Sequence, residues 1–187
     1  MDSLELSFKE LRGMRTIILG DVGTGKTLLT RRLLHEALEE AGGLVTVLDF
    51  APPAKVVSGL RVGGLLTGEE HPRLRHLKSS LIETPRLSAG SGDELVRLAD
   101  HNKRITEAML REFTLSPTEA LFVNDASIYL QRGEIDRLWR AFEAAETVVA
   151  NGYYGEKLQA DYGTGLSSRE KTLMEELASR MDRVIRL

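Results

Sequence analysis

The sequence contains no cysteine, which removes several kinds of chemistry at once. Disulfides, thiolate zinc sites, iron–sulfur clusters and a cysteine nucleophile are all excluded. Long hydrophobic runs are missing too, because no stretch approaches the roughly 18 uncharged apolar residues that indicate a membrane-spanning helix. The opening segment, MDSLELSFKELRG, carries acids and no apolar run of signal-peptide length. We therefore expect neither export nor membrane insertion, and predict a cytoplasmic protein.

A large excess of charge of either sign is also missing. The chain has 25 Lys and Arg residues against 28 Asp and Glu residues, which gives a formal net charge of -3. This balance provides no global electrostatic attraction to nucleic acid or to anionic lipid, so we expect neither as a partner. With 187 residues, of which 42% are hydrophobic, the chain is expected to form one domain over residues 1–187 with a sizeable core.

Short apolar runs alternate along the chain with longer amphipathic stretches. This pattern is typical of an α/β protein in which helices cover both faces of a mainly parallel sheet. Residues 51–92 depart from it, because glycines and prolines interrupt them, and we interpret them as an irregular excursion or lid, with a small helix near 74–82 as one alternative. Ser167 and Glu170 have the spacing of a capping box at the start of the last helix. The predicted strands cover residues 16–20, 44–50, 120–124, 147–151 and 183–187, and the predicted helices cover 26–41, 93–113, 135–145 and 167–180.

The first predicted strand leads directly into a P-loop motif that opens the first helix. The segment GDVGTGKT, from Gly20 to Thr27, matches G-x-x-x-x-G-K-[ST] at every specified position. Glycines allow positive φ and a close approach of the backbone to a pyrophosphate, so that N–H groups converge on its oxygens. The start of the helix adds its positive dipole end, and the Lys26 ammonium reaches the outer phosphates. The expected nucleotide-binding residues are Gly20, Asp21, Val22, Gly23, Thr24, Gly25, Lys26, Thr27, Leu28 and Asn151.

A magnesium ion at such a site is expected to take the Thr27 hydroxyl and one distant acid as protein ligands. Asp125 is the first candidate for that acid, because it follows the apolar strand 120–124 at its carboxyl end. Asp125 also suits the role of general base, with a helix cap as the alternative. Asp49, at the end of the second strand, is the other candidate, either as an indirect ligand that supports the metal's own ligands or as the base that orients the attacking water, with a turn-stabilising role before Pro52 as the alternative. The expected catalytic residues are Lys26, Asp49 and Asp125, and the expected metal ligands are Thr27 and Asp125.

Two weaker features accompany the P-loop. Asn151 ends the fourth strand and either senses the terminal phosphate or forms a turn before Gly152. A basic cluster in the excursion, with Arg86 just beyond it, is either a landing site for an anionic substrate and a source of an arginine finger, or a solvated face. The members of that cluster are His71, Arg73, Arg75, His76 and Lys78.

On these residues the chain resembles the additional-strand P-loop ATPases, and is most similar to RecA/KaiC-like proteins. The resemblance rests on the GDVGTGKT motif, Asp49, the segment LFVND ending at Asp125, Asn151 and the closing RVIRL strand. It implies a three-layer P-loop fold with a five-stranded sheet in the order 5-1-4-3-2, Mg-ATP as ligand, and a water-activating carboxylate. Ala126 departs from the pattern, since a second acid often follows the first there. A second similarity, to MinD/ParA-like proteins, comes from VLDFAPP after the first helix.

Three functions fit these expectations. The first is a slow ATPase that binds Mg-ATP and couples its nucleotide state to a protein partner or to self-association. The second is a small-molecule or nucleotide kinase in which residues 51–92 form a lid over the substrate. The third is a regulatory module that binds nucleotide without hydrolysing it, as the missing acid at Ala126 suggests. ATP is favoured over GTP because no N-K-x-D guanine motif follows a strand.

Overall fold

The computed structural model describes residues 6–40, 42–57 and 60–187. After a 3₁₀ helix (Phe8–Leu11), strands and helices alternate along most of the chain. The strands are β1 (Arg15–Gly20), β2 (Val45–Asp49), β3 (Lys55–Val57), β4 (Leu60–Val62), β5 (Leu74–Leu77), β6 (Ala120–Asn124), β7 (Thr147–Tyr153) and β8 (Arg183–Arg186). The helices are α1 (Lys26–Glu40), α2 (Pro85–Ser88), α3 (Gly92–Leu115), α4 (Ala126–Leu130), α5 (Ile135–Glu143) and α6 (Leu166–Arg180).

Six strands form the main sheet, in the order β5-β2-β6-β7-β1-β8, and every neighbouring pair is parallel. The prediction of five strands was wrong, and the complete order therefore differs from the predicted one. The difference is β5, which pairs with the outer side of β2. Without β5, the remaining strands follow one another as β8-β1-β7-β6-β2.

Apolar side chains on both faces of the sheet pack against helices, so the fold has three layers. Along β1, Ile17 and Leu19 belong to the core that α3, α4, α5 and α6 cover, whereas Ile18 belongs to the core beneath α1 and the 3₁₀ helix. Successive residues of a strand point to opposite faces, so a strand buried on both faces is expected to be largely apolar. This explains why the central strands are rich in apolar residues, which made them recognisable in the sequence. The α/β class and the mainly parallel sheet are confirmed, and both are consistent with a P-loop NTPase fold.

The excursion at residues 51–92 is more regular than predicted. Its first part pairs β3 with β4 as a small antiparallel hairpin, and its second part adds β5 to the main sheet. The alternative of a helix near residues 74–82 was wrong, because Leu74–Leu77 is a strand. Only the four-residue helix α2 follows, before α3 begins.

The predicted capping box on the last helix was also wrong. Helix α6 begins at Leu166 after Gly165, which has positive φ and no side chain to form the box, and the Asp161 carboxylate accepts from the N–H of Ser167 instead. Glu170 is buried and accepts two hydrogen bonds from Arg86 instead of turning back to the helix start.

The prediction for the first helix ran to Ala41, which lies outside the described residues. Within the described residues, no helix combines the length and apolar character that a membrane span requires.

Candidate functional site

The P-loop connects the carboxyl end of β1 with the first turn of α1. Gly23 and Gly25 have φ values of 82° and 93°, a conformation that favours glycine. Gly20 does not have positive φ, and the reason for a glycine there is space. A Cβ on Gly20 would lie 2.6 Å from the Thr24 hydroxyl oxygen and 2.8 Å from the carbonyl oxygen of Leu187. The three glycines therefore let this segment turn tightly beside the end of β8.

Several backbone N–H groups of this loop have no hydrogen-bond acceptor among the described residues. Among the described residues, nothing accepts a hydrogen bond from the N–H groups of Gly23, Gly25, Lys26 or Thr27. Lys26 Nζ donates to the carbonyl oxygen of Asp21, 2.7 Å away, and so curls back over the loop. Unsatisfied N–H groups at a helix start, with an ammonium above them, form a ready site for an anion.

A second loop in the same chain has a similar sequence, and its N–H groups donate to a carboxylate. Residues 161–165, with the sequence DYGTG, precede α6 as residues 21–25, with the sequence DVGTG, precede α1. In both loops the threonine, Thr164 or Thr24, donates its hydroxyl to the carbonyl oxygen of the aspartate three residues earlier. In the second loop, however, the Asp161 carboxylate accepts hydrogen bonds from the N–H groups of Gly163 and Ser167.

The two loops therefore differ in where their aspartates point. Asp161 fills its own loop with a carboxylate, whereas Asp21 turns outward and accepts from Val22, Glu156 and Lys157. The second loop also has Leu166 at the place of Lys26. An anion is thus already present in one loop, whereas the N–H groups of Gly23, Gly25, Lys26 and Thr27 in the other have no acceptor among the described residues.

Asp125 faces Lys26 across the site. Burial lowers the pKa of Lys26, while the Asp125 and Asp21 carboxylates act in the opposite direction. The backbone of Asp125 is left-handed, with φ 59° and ψ 55°, a conformation that few non-glycine residues adopt but that aspartate tolerates. The Ser127 hydroxyl donates to Asp125 Oδ1 over 2.5 Å and accepts from the N–H of Tyr153. In this conformation Asp125 lies in the lining of the same cavity as Lys26.

A cavity of about 180 Å³ joins these groups. One end holds Gly23, Lys26 and Thr27, and Asp125 lies along its wall. The excursion forms part of the cavity wall, because both the residues after β4 and the start of α2 belong to its lining. The lining residues beyond the P-loop include Gly63, Gly64, Thr84, Arg86, Gln131 and Leu158.

Asn151 belongs to the cavity lining and supports Asp125. Its carboxamide oxygen accepts from the N–H of Asp125, 2.9 Å away, and its nitrogen donates to Thr30 and Asn124. Because both polar atoms are engaged and the residue is 2% exposed, Asn151 serves to position Asp125 in this geometry. A direct contact with a phosphate, as the sequence suggested, would require it to give up one of these bonds.

Asp49 continues the same buried network away from the cavity. Its Oδ1 accepts from Asn124 Nδ2 over 2.7 Å. Its Oδ2 accepts from the N–H of Leu66 over 2.7 Å and from His76 Nε2 over 3.0 Å. Asp49 is fully buried and is absent from the cavity lining. The geometry therefore favours Asp125 over Asp49 as a base. Asp49 instead attaches the excursion to β2 through its hydrogen bonds with Leu66 and His76.

The three arginines proposed for an anionic substrate do not form one site. Arg73 lies just before β5, and Arg75 lies within β5 with its guanidinium 5.8 Å from the ring of Phe113. Neither lines the cavity, whereas Arg86 does. The Leu28 side chain, also expected near nucleotide, is 69% exposed, so its backbone is what the P-loop would use.

Sequence reasoning missed Ser127, Gln131 and Glu170. Gln131 donates to Glu170 Oε2 at 2.8 Å, and Glu170 in turn binds Arg86. Burial raises the pKa of Glu170 to about 7, although the Arg86 guanidinium acts in the opposite direction. Ser127 follows Asp125 by two residues, a spacing that could have suggested a side-chain hydrogen bond. Glu170 gave no local signal, because its partners lie 39 and 84 positions away.

The donors of the site fit a magnesium ion bound mainly through water and nucleotide. Within residues 6–40, 42–57 and 60–187, no group of three or more His, Asp or Glu side chains could hold a metal by itself. Magnesium commonly takes only one or two carboxylates together with substrate phosphates. The Thr27 hydroxyl and the Asp125 carboxylate, which line the same cavity, are the residues that would hold it.

Comparisons with known proteins leave the chain without a family. No protein-family model matches it, and no curated protein matches it. Among solved structures, the Pif1 helicase from Candida albicans aligns with a TM-score of 0.36 and 16% sequence identity. The alignment covers 94% of this chain and 36% of the helicase, so the chain spans about a third of that protein's length. No functional conclusion follows from similarity at this level.

Proposed function

We propose that the protein binds Mg-ATP at the P-loop and hydrolyses it slowly, coupling nucleotide state to a partner or to assembly. The observation that carries this proposal is the open set of loop donors beneath Lys26, in a chain whose second DxGTG loop is filled by its own carboxylate. The position of β7 between β1 and β6 supports the similarity to RecA/KaiC-like ATPases. The absence of an N-K-x-D motif after a strand favours adenine over guanine.

In the proposed hydrolysis of ATP, a few residues share the tasks of binding phosphate, binding magnesium and accepting a proton. The N–H groups of the loop and Lys26 bind the outer phosphates and orient the terminal one. Bound magnesium would neutralise charge on those phosphates, held by Thr27 and Asp125. Asp125 is also the carboxylate placed to accept a proton from an attacking water. Ala126 follows it where a second acid is common, so one carboxylate serves both roles and hydrolysis is expected to be slow.

Replacing Asp125 by asparagine tests this division. We expect phosphate release to fall by roughly 100-fold or more, since general-base and metal contributions are both lost. Binding of ATP is expected to persist, because the loop donors and Lys26 remain. The measurement is steady-state phosphate release, together with calorimetric titration of ATP. Asp100→Asn, at an exposed aspartate that pairs with Arg132, is the control and should behave as the wild type does.

The same assay decides between hydrolysis and a purely regulatory role. If wild-type protein binds ATP but releases no phosphate above background, the ATPase proposal is wrong and the chain is a nucleotide-binding module. Equal phosphate release from the wild type and Asp125→Asn would instead remove Asp125 from the chemistry.

Phosphoryl transfer to a small molecule is the second candidate, and one observation favours it. Gln131 is 1% exposed and lines the cavity, yet nothing among the described residues donates to its Oε1. A buried acceptor without a partner costs about 1–3 kcal/mol, which a bound ligand would recover. A hydroxyl or N–H of an acceptor molecule is the complementary group.

An acceptor assay tests this second candidate. Glycerol, D-ribose, uridine and adenosine are each added to protein with Mg-ATP, and the rate of ADP formation is measured. A kinase would form ADP faster with at least one of them, and Gln131→Leu would lose that increase while keeping the acceptor-independent rate. An ADP rate that none of the four compounds changes would contradict the kinase candidate.

A further inference from the structure

The segment after β7, residues 155–158, lies directly beside the P-loop. Tyr153 at the end of β7 is paired with Gly20 at the end of β1, and the N–H of Tyr154 donates to the carbonyl oxygen of Gly20. The chain thus leaves the sheet next to the residue where the P-loop begins. The N–H of Leu158 donates to the Tyr153 hydroxyl over 2.8 Å, which folds the segment back toward the cavity.

Asp21 attaches this segment to the loop. Its Oδ2 accepts from the N–H groups of Glu156 and Lys157 at 3.1 Å and 3.4 Å. Burial acts to raise the pKa of Asp21, but the hydrogen bonds from Glu156, Val22 and Lys157 outweigh it, so the pKa lies below its ordinary value. A Cβ on Gly155 would lie 2.4 Å from the Asp21 carboxyl carbon, so this approach requires glycine. The contact is therefore a built feature of the fold.

The attachment brings an ammonium to the P-loop. Lys157 Nζ donates to the carbonyl oxygen of Val22 over 3.4 Å, and Val22 lines the same cavity as Lys26 and Asp125. Lys157 is exposed, and a long contact of this kind to a neutral carbonyl contributes little to the fold. The ammonium thus lies near the expected phosphate site, where the Asp21 carboxylate is the anion that attracts it in the free protein.

We propose that Lys157 is a second lysine for the bound nucleotide, and that it contacts the terminal phosphate. This inference rests on the proposed binding of ATP at the P-loop. A cation supplied from elsewhere in the same chain stabilises charge on a transferring phosphoryl group, as arginine fingers do in related chemistry. Rotation of the flexible lysine side chain moves its ammonium from the Val22 carbonyl to a phosphate, while Asp21 keeps the backbone in place.

Titration of nucleotides against variants tests the proposal. With magnesium present, Lys157→Ala is expected to weaken ATP binding about 10-fold and to leave ADP binding within about 2-fold, because only ATP carries the terminal phosphate. Lys157→Arg, which keeps the charge, is expected to restore most of the ATP affinity. The difference between wild type and Lys157→Ala should shrink as salt is raised, since the lysine is exposed. Lys171→Ala, at an exposed lysine on α6 near the Tyr154 ring, is the matched control.

The outcomes of these titrations distinguish failure of the Lys157 assignment from failure of the proposed ATP binding at the P-loop. If the wild type binds ATP and Lys157→Ala binds it equally well, Lys157 is not a nucleotide ligand. Equal weakening of ATP and ADP would overturn the assignment to the terminal phosphate. If the wild type binds neither nucleotide, the proposed function itself is wrong. A circular dichroism spectrum and melting temperature like those of the wild type establish that Lys157→Ala is folded.

Discussion

Replacing Lys26 by alanine is expected to weaken Mg-ATP binding by about 10- to 100-fold. Hydrogen bonds to charged groups contribute about 1.5–3 kcal/mol each, and Lys26 supplies the charged donor nearest the loop's open N–H groups. In the free protein the only hydrogen bond that its ammonium donates within the described residues goes to the carbonyl oxygen of Asp21. Its removal also relieves the burial of an ammonium, so the free energy of unfolding should change little. Calorimetric titration and thermal unfolding measure the two quantities.

The dependence of the melting temperature on ATP concentration, compared between the wild type and the variants, identifies the binding site. ATP should raise the melting temperature of the wild type in proportion to the logarithm of its concentration, and should barely raise that of Lys26→Ala. Lys171→Ala, again the control, should follow the wild type. An ATP-dependent shift of Lys26→Ala as large as that of the wild type would place nucleotide somewhere other than this loop.

Replacing Arg86 by methionine is expected to lower the free energy of unfolding by about 3–5 kcal/mol near pH 8. Arg86 and Glu170 have side chains that are 7% and 3% exposed, and Arg86 Nη2 donates to both carboxylate oxygens of Glu170, at 2.9 Å and 3.0 Å. Removing one partner of a buried pair leaves the other charge without compensation, which is far costlier than loss of a surface pair. Urea unfolding at several pH values measures the effect.

The loss should depend on pH in a defined direction. Burial already raises the pKa of Glu170 from 4.5 to about 7, and without Arg86 it rises further. A carboxyl whose pKa is higher in the folded than in the unfolded state stabilises the fold at low pH, and this stabilisation is lost as the pH rises through the folded value. The Arg86→Met variant should therefore be closer to the wild type at pH 5 than at pH 8.

A double variant separates charge from packing. Adding Glu170→Gln to Arg86→Met removes the uncompensated carboxylate, and should recover much of the stability at pH 8 while flattening the pH dependence. A loss that is the same at both pH values, or that Glu170→Gln fails to reduce, would show that Arg86 acts through packing on Tyr153, whose ring lies 5.0 Å away.

The parts of the fold found from sequence are those whose signal is local. The run IIL in β1 is apolar because that strand is buried on both faces, and the P-loop is one continuous motif at its end. The helices 93–113 and 135–145 were recognisable because one face of each packs on the sheet. Such features need only the periodicity of a short window.

The parts that were missed depend on distant partners. Strand β5, with the sequence LRHL, is an edge strand of intermediate burial, and its alternation is too short to distinguish it from a loop. Asp49 was read as a base because it ends a strand, but its three donors come from the excursion and from β6. The role of Glu170 likewise depends on Arg86, in an element that the sequence did not predict. Contacts across long separations have no pattern in a single sequence.

The most direct test is a crystal structure of the wild type grown with magnesium and a non-hydrolysable ATP analogue. We predict that the β-phosphate accepts from the N–H groups of Gly23 to Thr27, with Lys26 turned from the Asp21 carbonyl toward the phosphates. Magnesium should lie between Thr27, Asp125 and the outer phosphates. Nucleotide bound elsewhere, or Lys26 still on the Asp21 carbonyl beside an empty loop, would contradict it.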